Sequence, residues 1–337
     1  MKRVIRLALV AGVAVVSLAI TSSAWASYSP SLTVTTSKNA PGAQTSVLLG
    51  HVQSPADDAT AKDTIYAPLG YTLNLSQPAG TKIGDVSARL ILRGGGNAEV
   101  DVDGHVVADN PANHPNDACA PGMHAAVWNL NITVAGTPLT VPIYVDPVTA
   151  GPEATFASAK IQLCLAGPIG TPAGAQLEFA FFDVDNVFSN PSNTTDRIWH
   201  ATFTPYVSGQ PVPNPAGTTE GQAVIPGRVA LTMKTKSLKH GRVIVSGKLT
   251  VDGQAFGGTR VELYKGDKLI GHGNTNRKGN YTIRIKVKKK TRVLAQVLFL
   301  GDLPSCPAPG LPGVPQGCKS ATLSFFAAKI GTARHKK

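Results

Sequence analysis

Between Tyr281 and Lys288 the chain alternates without a break: Tyr281, Ile283, Ile285 and Val287 are apolar, whereas Thr282, Arg284, Lys286 and Lys288 are polar or charged. A two-residue period belongs to a strand with one face on a core and the other in water. The same period runs through Val243, Val245, Gly247, Leu249 and Val251, and again through Val261 and Leu263. No window of comparable length repeats its apolar residues at helical spacing, and only Glu153 to Ala159 offers a turn or two. The expected fold class is therefore all-β.

The rest of the chain fits many short strands. Its 34 glycines and 25 prolines punctuate short β-branched or aromatic runs, and only 15% of residues are charged. In the first half the runs lie at Ser31 to Thr36, Thr45 to Val52, Thr64 to Leu75, Asp85 to Leu92, Ala98 to Val107, His124 to Val134, Leu139 to Tyr144, Lys160 to Leu165, Gln176 to Phe182 and Arg197 to Thr204. Adding Val229 to Met233, Lys268 to Gly273, Arg292 to Phe299 and Ala321 to Phe326 to the alternating runs gives about seven strands in the last hundred residues. Two β-sandwich domains are expected, the C-terminal one immunoglobulin-like.

Residues 1–26 read as a secretory signal peptide. Lys2, Arg3 and Arg6 precede an apolar run from Leu7 to Ile20, and Ala24-Trp25-Ala26 supplies a small-x-small cleavage site. The expected location is extracellular or in the cell envelope, with no transmembrane segment in the mature chain. Charge then divides what remains. Residues 27–220 hold 7 Lys and Arg against 16 Asp and Glu, net −9, while residues 221–337 hold 22 against 4, net +18. The division predicts an acidic sandwich at 27–206, a Pro/Gly linker at 207–227, a basic sandwich at 228–328 and a basic tail at 329–337. Such asymmetry points to an anionic partner.

Four cysteines in an oxidising compartment permit three pairings, of which pairing within each half, Cys119 with Cys164 and Cys306 with Cys318, is favoured. The segment Gly247 to Lys289, with Gly257-Gly258, Val261-Glu262-Leu263, Thr275, Gly279 and Tyr281, resembles the bacterial Ig-like and carboxypeptidase regulatory-like (transthyretin-like) domains. The resemblance implies a non-catalytic accessory or surface module. The first half resembles only uncharacterised secreted β-sandwich proteins.

Arg284, Lys286, Lys288, Lys289, Lys290 and Arg292 put six cations within nine residues, with Lys265, Lys268, Arg277 and Lys278 as expected surroundings. They form the candidate polymer-binding face. Its expected partner is an anionic envelope polymer or another surface protein; nucleic acid is not expected, because no aromatic residues interleave with the cations for base stacking. No cofactor and no metal are expected. His114, Cys119, Met123 and His124 lack the ligand order of a copper loop, and Asp101-Val102-Asp103 and Asp183-Val184-Asp185 do not extend into a calcium loop.

G-x-S-x-G, H-E-x-x-H and P-loop motifs are absent, so the chain is expected to be non-enzymatic, a structural or adhesive protein. Two other classes compete. A carbohydrate-binding lectin-like module would expose Trp128 or Trp199, and a secreted hydrolase would set two carboxylates across a cleft.

Overall fold

The computed structural model describes residues 28–168 and 175–334. The expected signal peptide, and the last three residues of the expected tail, lie outside the described residues. Within them the chain is all-β, with five short 3-10 turns, and no helix is long and apolar enough to cross a membrane.

The first sandwich contains β1 (Ser31–Thr36), β2 (Gln44–Val52), β3 (Thr60–Pro68), β4 (Thr72–Leu73), β5 (Lys82–Leu92), β6 (Ala98–Asp109), β7 (Ala126–Val134), β8 (Thr137–Pro147), β9 (Ala157–Cys164), β10 (Ala175–Ser189), β11 (Arg197–Pro205) and β12 (Thr219–Ile225). Their hydrogen-bonded order is β1-β2-β10-β5-β6-β7-β8-β9-β3-β11-β12, and the sheet curls until β1 lies beside β12. Its inward residues, among them Val34, Leu49, Val106, Ile143, Ile161 and Phe203, make one buried core. Trp128 and Trp199 are 1% and 0% exposed, and Phe203 and Tyr206 are also buried. These four aromatics therefore fill the interior, and neither Trp128 nor Trp199 is the exposed tryptophan that a lectin reading requires.

The second sandwich contains β13 (Val229–Leu231), β14 (Lys234–Ser237), β15 (Arg242–Val251), β16 (Gln254–Ala255), β17 (Arg260–Lys265), β18 (Lys268–Asn274), β19 (Asn280–Lys286), β20 (Thr291–Asp302) and β21 (Cys318–Ala333). One sheet is built on β15, flanked by β14 and β19; the facing sheet runs β18-β17-β20-β21. Val243, Val245, Ile283, Ile285, Val293 and Phe325 meet between them, as the two-residue period requires. Thr275, Gly279 and Tyr281 hold one corner. Gly279 has φ of +73°, and a Cβ there would meet the Leu249 carbonyl at 2.4 Å. Two residues on, the Tyr281 hydroxyl donates to the Thr232 carbonyl at 2.8 Å.

The C-terminal part of the segment expected as a linker is corrected by the structure. Thr219–Ile225 is a strand with all seven residues buried, antiparallel to β11 and parallel to β21. Its Glu220 and Gln222 side chains are inside because both find partners. Glu220 accepts from His200, Gln222 and the Leu311 N–H, while Gln222 both donates to and accepts from the Ala308 backbone. The expected tail is corrected as well, since residues 329–333 complete β21.

β21 thus belongs to both sandwiches. Its first half pairs with β12 and its remainder with β20, while Ser320 and Thr322 donate their hydroxyls to the Pro30 and Leu32 carbonyls at 2.7 Å. Ser324 does the same to Val34. The hydroxyls alternate along one face of β21 and therefore follow the carbonyls of β1.

Both expected disulfides are present: Cys119 is bonded to Cys164 and Cys306 to Cys318.

Candidate functional site

Strand register decides which cations meet. In β17 and β20, Tyr264 faces Leu294, so Lys265 lies at the end where β20 begins with Thr291 and Arg292. The β17-β18 turn, holding Lys265 and Lys268, therefore sits beside the β19-β20 turn with Lys288, Lys289 and Lys290. Arg242 pairs with Lys286, which brings the β14-β15 turn and Lys239 to the same end. Arg292 pairs with Thr332, and Arg334 follows directly. Ten exposed cations from both sheets share this end of the sandwich, and Asp267 is the one carboxylate in its turns among the described residues.

This basic pole lies at the end of the second sandwich away from β12. β21 leaves β12 near Leu323 and reaches the pole at Ala333. Among the described residues, Arg260–Glu262 is the only ion pair within the second sandwich, and it involves none of the ten. Closely spaced like charges without partners raise the local potential and remain available to an anion.

The six residues of the candidate face do not all gather at the pole. Lys286, Lys288, Lys289, Lys290 and Arg292 do, but Arg292 comes from the facing sheet. Arg284 stands one pleat back, opposite Ile244, whose other neighbour is Lys236. Lys234, Lys236, Lys248 and Arg284 extend positive charge along the outer face of the β14-β15-β19 sheet. Of the expected surroundings, Lys265 and Lys268 join the pole. Arg277 and Lys278 lie in the β18-β19 turn at the opposite end. Lys239 and Arg242 were not singled out by sequence reasoning, because separated turns converge only through antiparallel pairing, whereas Arg334 belongs to the expected basic tail.

The outer face of the first sandwich has the opposite sign. Cross-strand rows place Asp183 with Asp85 and His105, Phe181 with Ser87 and Asp103, and Phe179 with Arg89 and Asp101. These acidic residues stand within β5, β6 and β10 rather than in turns. Hydrogen bonds from Lys82 and His105 hold the Asp85 carboxyl below its usual range. It is therefore not the protonated acid that glycoside hydrolysis needs at neutral pH.

The sulfur and histidine residues considered for metals have other partners. Cys119 and Cys164 are joined near Asp117, so their sulfurs are not thiolates. His124 bonds Asp146 and the Ala120 carbonyl, His114 bonds Asp109, and Met123 is 89% exposed.

The sequence matches no protein-family model and no curated protein. Among solved structures, the D0-D1 domain of Intimin is similar at 8% identity, covering 88% of this chain and 99% of that one, with a TM-score of 0.19. The D00-D0 domain of Intimin gives 11%, 79%, 100% and 0.20 in the same order. The BSP domain of a biofilm associated protein gives 7%, 91%, 52% and 0.18. At such scores these similarities carry no argument, and the fold rests on the strand pairing itself.

Proposed function

We propose that the protein is a non-enzymatic, exported structural or adhesive component of the cell envelope, whose basic pole docks on an anionic polymer. The carrying observation is the convergence of ten exposed cations on one end of the second sandwich, beside a single carboxylate. Phosphate or carboxylate groups repeated along a polymer would meet several of these cations at once, and multivalent contact strengthens weak individual pairs. The acidic outer face of the first sandwich would be repelled by the same polymer, which favours an orientation with the pole inward. Two disulfides suit an oxidising compartment.

The test is binding of the full chain to poly(glycerol phosphate) across a salt series. The full chain is required because β21 pairs with β12 of the first sandwich. K288Q/K289Q/K290Q should lose binding, whereas R277Q/K278Q, neutral at the opposite end, should keep it. Equal loss in both variants would replace the pole with a diffuse effect of net charge.

A further inference from the structure

We infer that the acidic outer sheet face of the first sandwich receives the basic pole of a second copy, so that molecules join head to tail. The pole is the one described above; in the polymer reading the acidic face only orients the molecule and binds nothing.

The face is shaped as well as charged. Leu48, Phe181, Asp85, Asp103, His105 and Asp183 line a shallow cleft of about 540 Å³. Phe181 lies over Gly50, where an added Cβ would come within 2.4 Å of the ring. The glycine thus lets the phenyl ring rest on the sheet as a half-exposed floor. A lysine ammonium over such a ring gains cation–π attraction, and neighbouring carboxylates add charge-assisted hydrogen bonds. The same face already displays this pairing internally, with the Arg89 guanidinium 5.4 Å from the Phe179 ring centroid.

The complementary shape is the β19-β20 turn. Lys288, Lys289 and Lys290 are all exposed in the short connection that crosses from β19 in one sheet to β20 in the facing sheet. One molecule cannot fold this connection back onto its own acidic face, because the paired ladder of β21 holds it about 33 Å beyond the last β12 contact at Leu323. The contact must therefore be made between copies. It joins two different surfaces, so it leaves a free pole at one end and a free acidic face at the other. Interior poles are covered by protein while the terminal pole remains free for a polymer.

Sedimentation velocity on the full chain tests the inference. At low salt the native chain should form species larger than dimers, and these should dissociate at high salt. D85N/D103N/D183N keeps side-chain shape and should be monomeric, as should K288Q/K289Q/K290Q. An equimolar mixture of the two variants retains one intact face and one intact pole, and should stop at the dimer. A monomeric native chain at low salt, assembly of the aspartate variant, or a mixture that stays monomeric would each overturn the inference. Polymer binding separates the two proposals: the aspartate variant should still bind poly(glycerol phosphate), so loss of assembly and loss of polymer docking are read independently.

Discussion

Glu220 accepts a hydrogen bond of 2.7 Å from the backbone N–H of Leu311, across 91 residues of sequence. The bond fastens the proline-rich loop of the second sandwich to a buried strand of the first. His200 and Gln222 donate to the other carboxylate oxygen at 2.8 and 2.9 Å. Replacing Glu220 by Ala leaves three donors without an acceptor in a dry interior, a loss of about 3 kcal/mol. Chemical denaturation should show a lower midpoint for Glu220→Ala, with Glu220→Gln between it and the native chain.

Acid should loosen the same junction. Burial pushes the Glu220 carboxyl up, but hydrogen bonds from His200, Leu311 and Gln222 outweigh it and hold the group below its ordinary value of 4.5. A depressed folded-state pKa gives stability that is present above the unfolded value and lost as pH falls through the folded one. The protection factor of the Leu311 amide, its exchange rate corrected for the intrinsic pH dependence, should therefore fall below about pH 4.5. The Glu220→Gln variant should lack this acid limb.

His51 responds in the other direction. Its ring contacts Asp63 at 2.9 Å and Gln53 Oε1 at 3.0 Å, so both ring nitrogens face acceptors, and the charged imidazolium donates to each. Burial lowers its pKa, yet the Asp63 charge and these hydrogen bonds raise it above 6.5 overall. Stability from this pair is full below the unfolded value and disappears as pH rises through the folded one. Titration of the His51 ring by NMR should give a midpoint above 6.5, and Asp63→Asn should bring it down.

The Cys306–Cys318 bond closes the loop that Glu220 and Gln222 grip. In the chain-entropy account a closure of this size is worth about 3 kcal/mol. C306S/C318S should unfold at lower denaturant while keeping its strand signal in circular dichroism, because the ladder of β20 and β21 lies beyond the loop.

Much of the fold was legible because one side of most strands is wet. β15 and β19 follow their alternation closely, whereas β1 matches its expected bounds with none of its six residues exposed. β12 was illegible for the converse reason. Thr219–Ile225 is buried throughout, carries Glu220 and Gln222 inside, and stands among prolines and glycines, so neither alternation nor apolar content marks it. The short β14 has three exposed residues in four and no apolar period to display. At the pole, sequence density identified Lys286 to Arg292 but also drew in Arg277 and Lys278, which strand direction sends to the other end. Lys239 and Arg242 reach the pole through pairing of β15 with β19, a relation that local sequence does not contain.

The most direct measurement is the affinity of the full chain for poly(glycerol phosphate) between about 50 and about 200 mM salt. Docking through the basic pole predicts a fall of about tenfold or more over that range, and no measurable binding by K288Q/K289Q/K290Q. Affinity unchanged by salt, or a glutamine variant that binds like the native chain, would contradict the account.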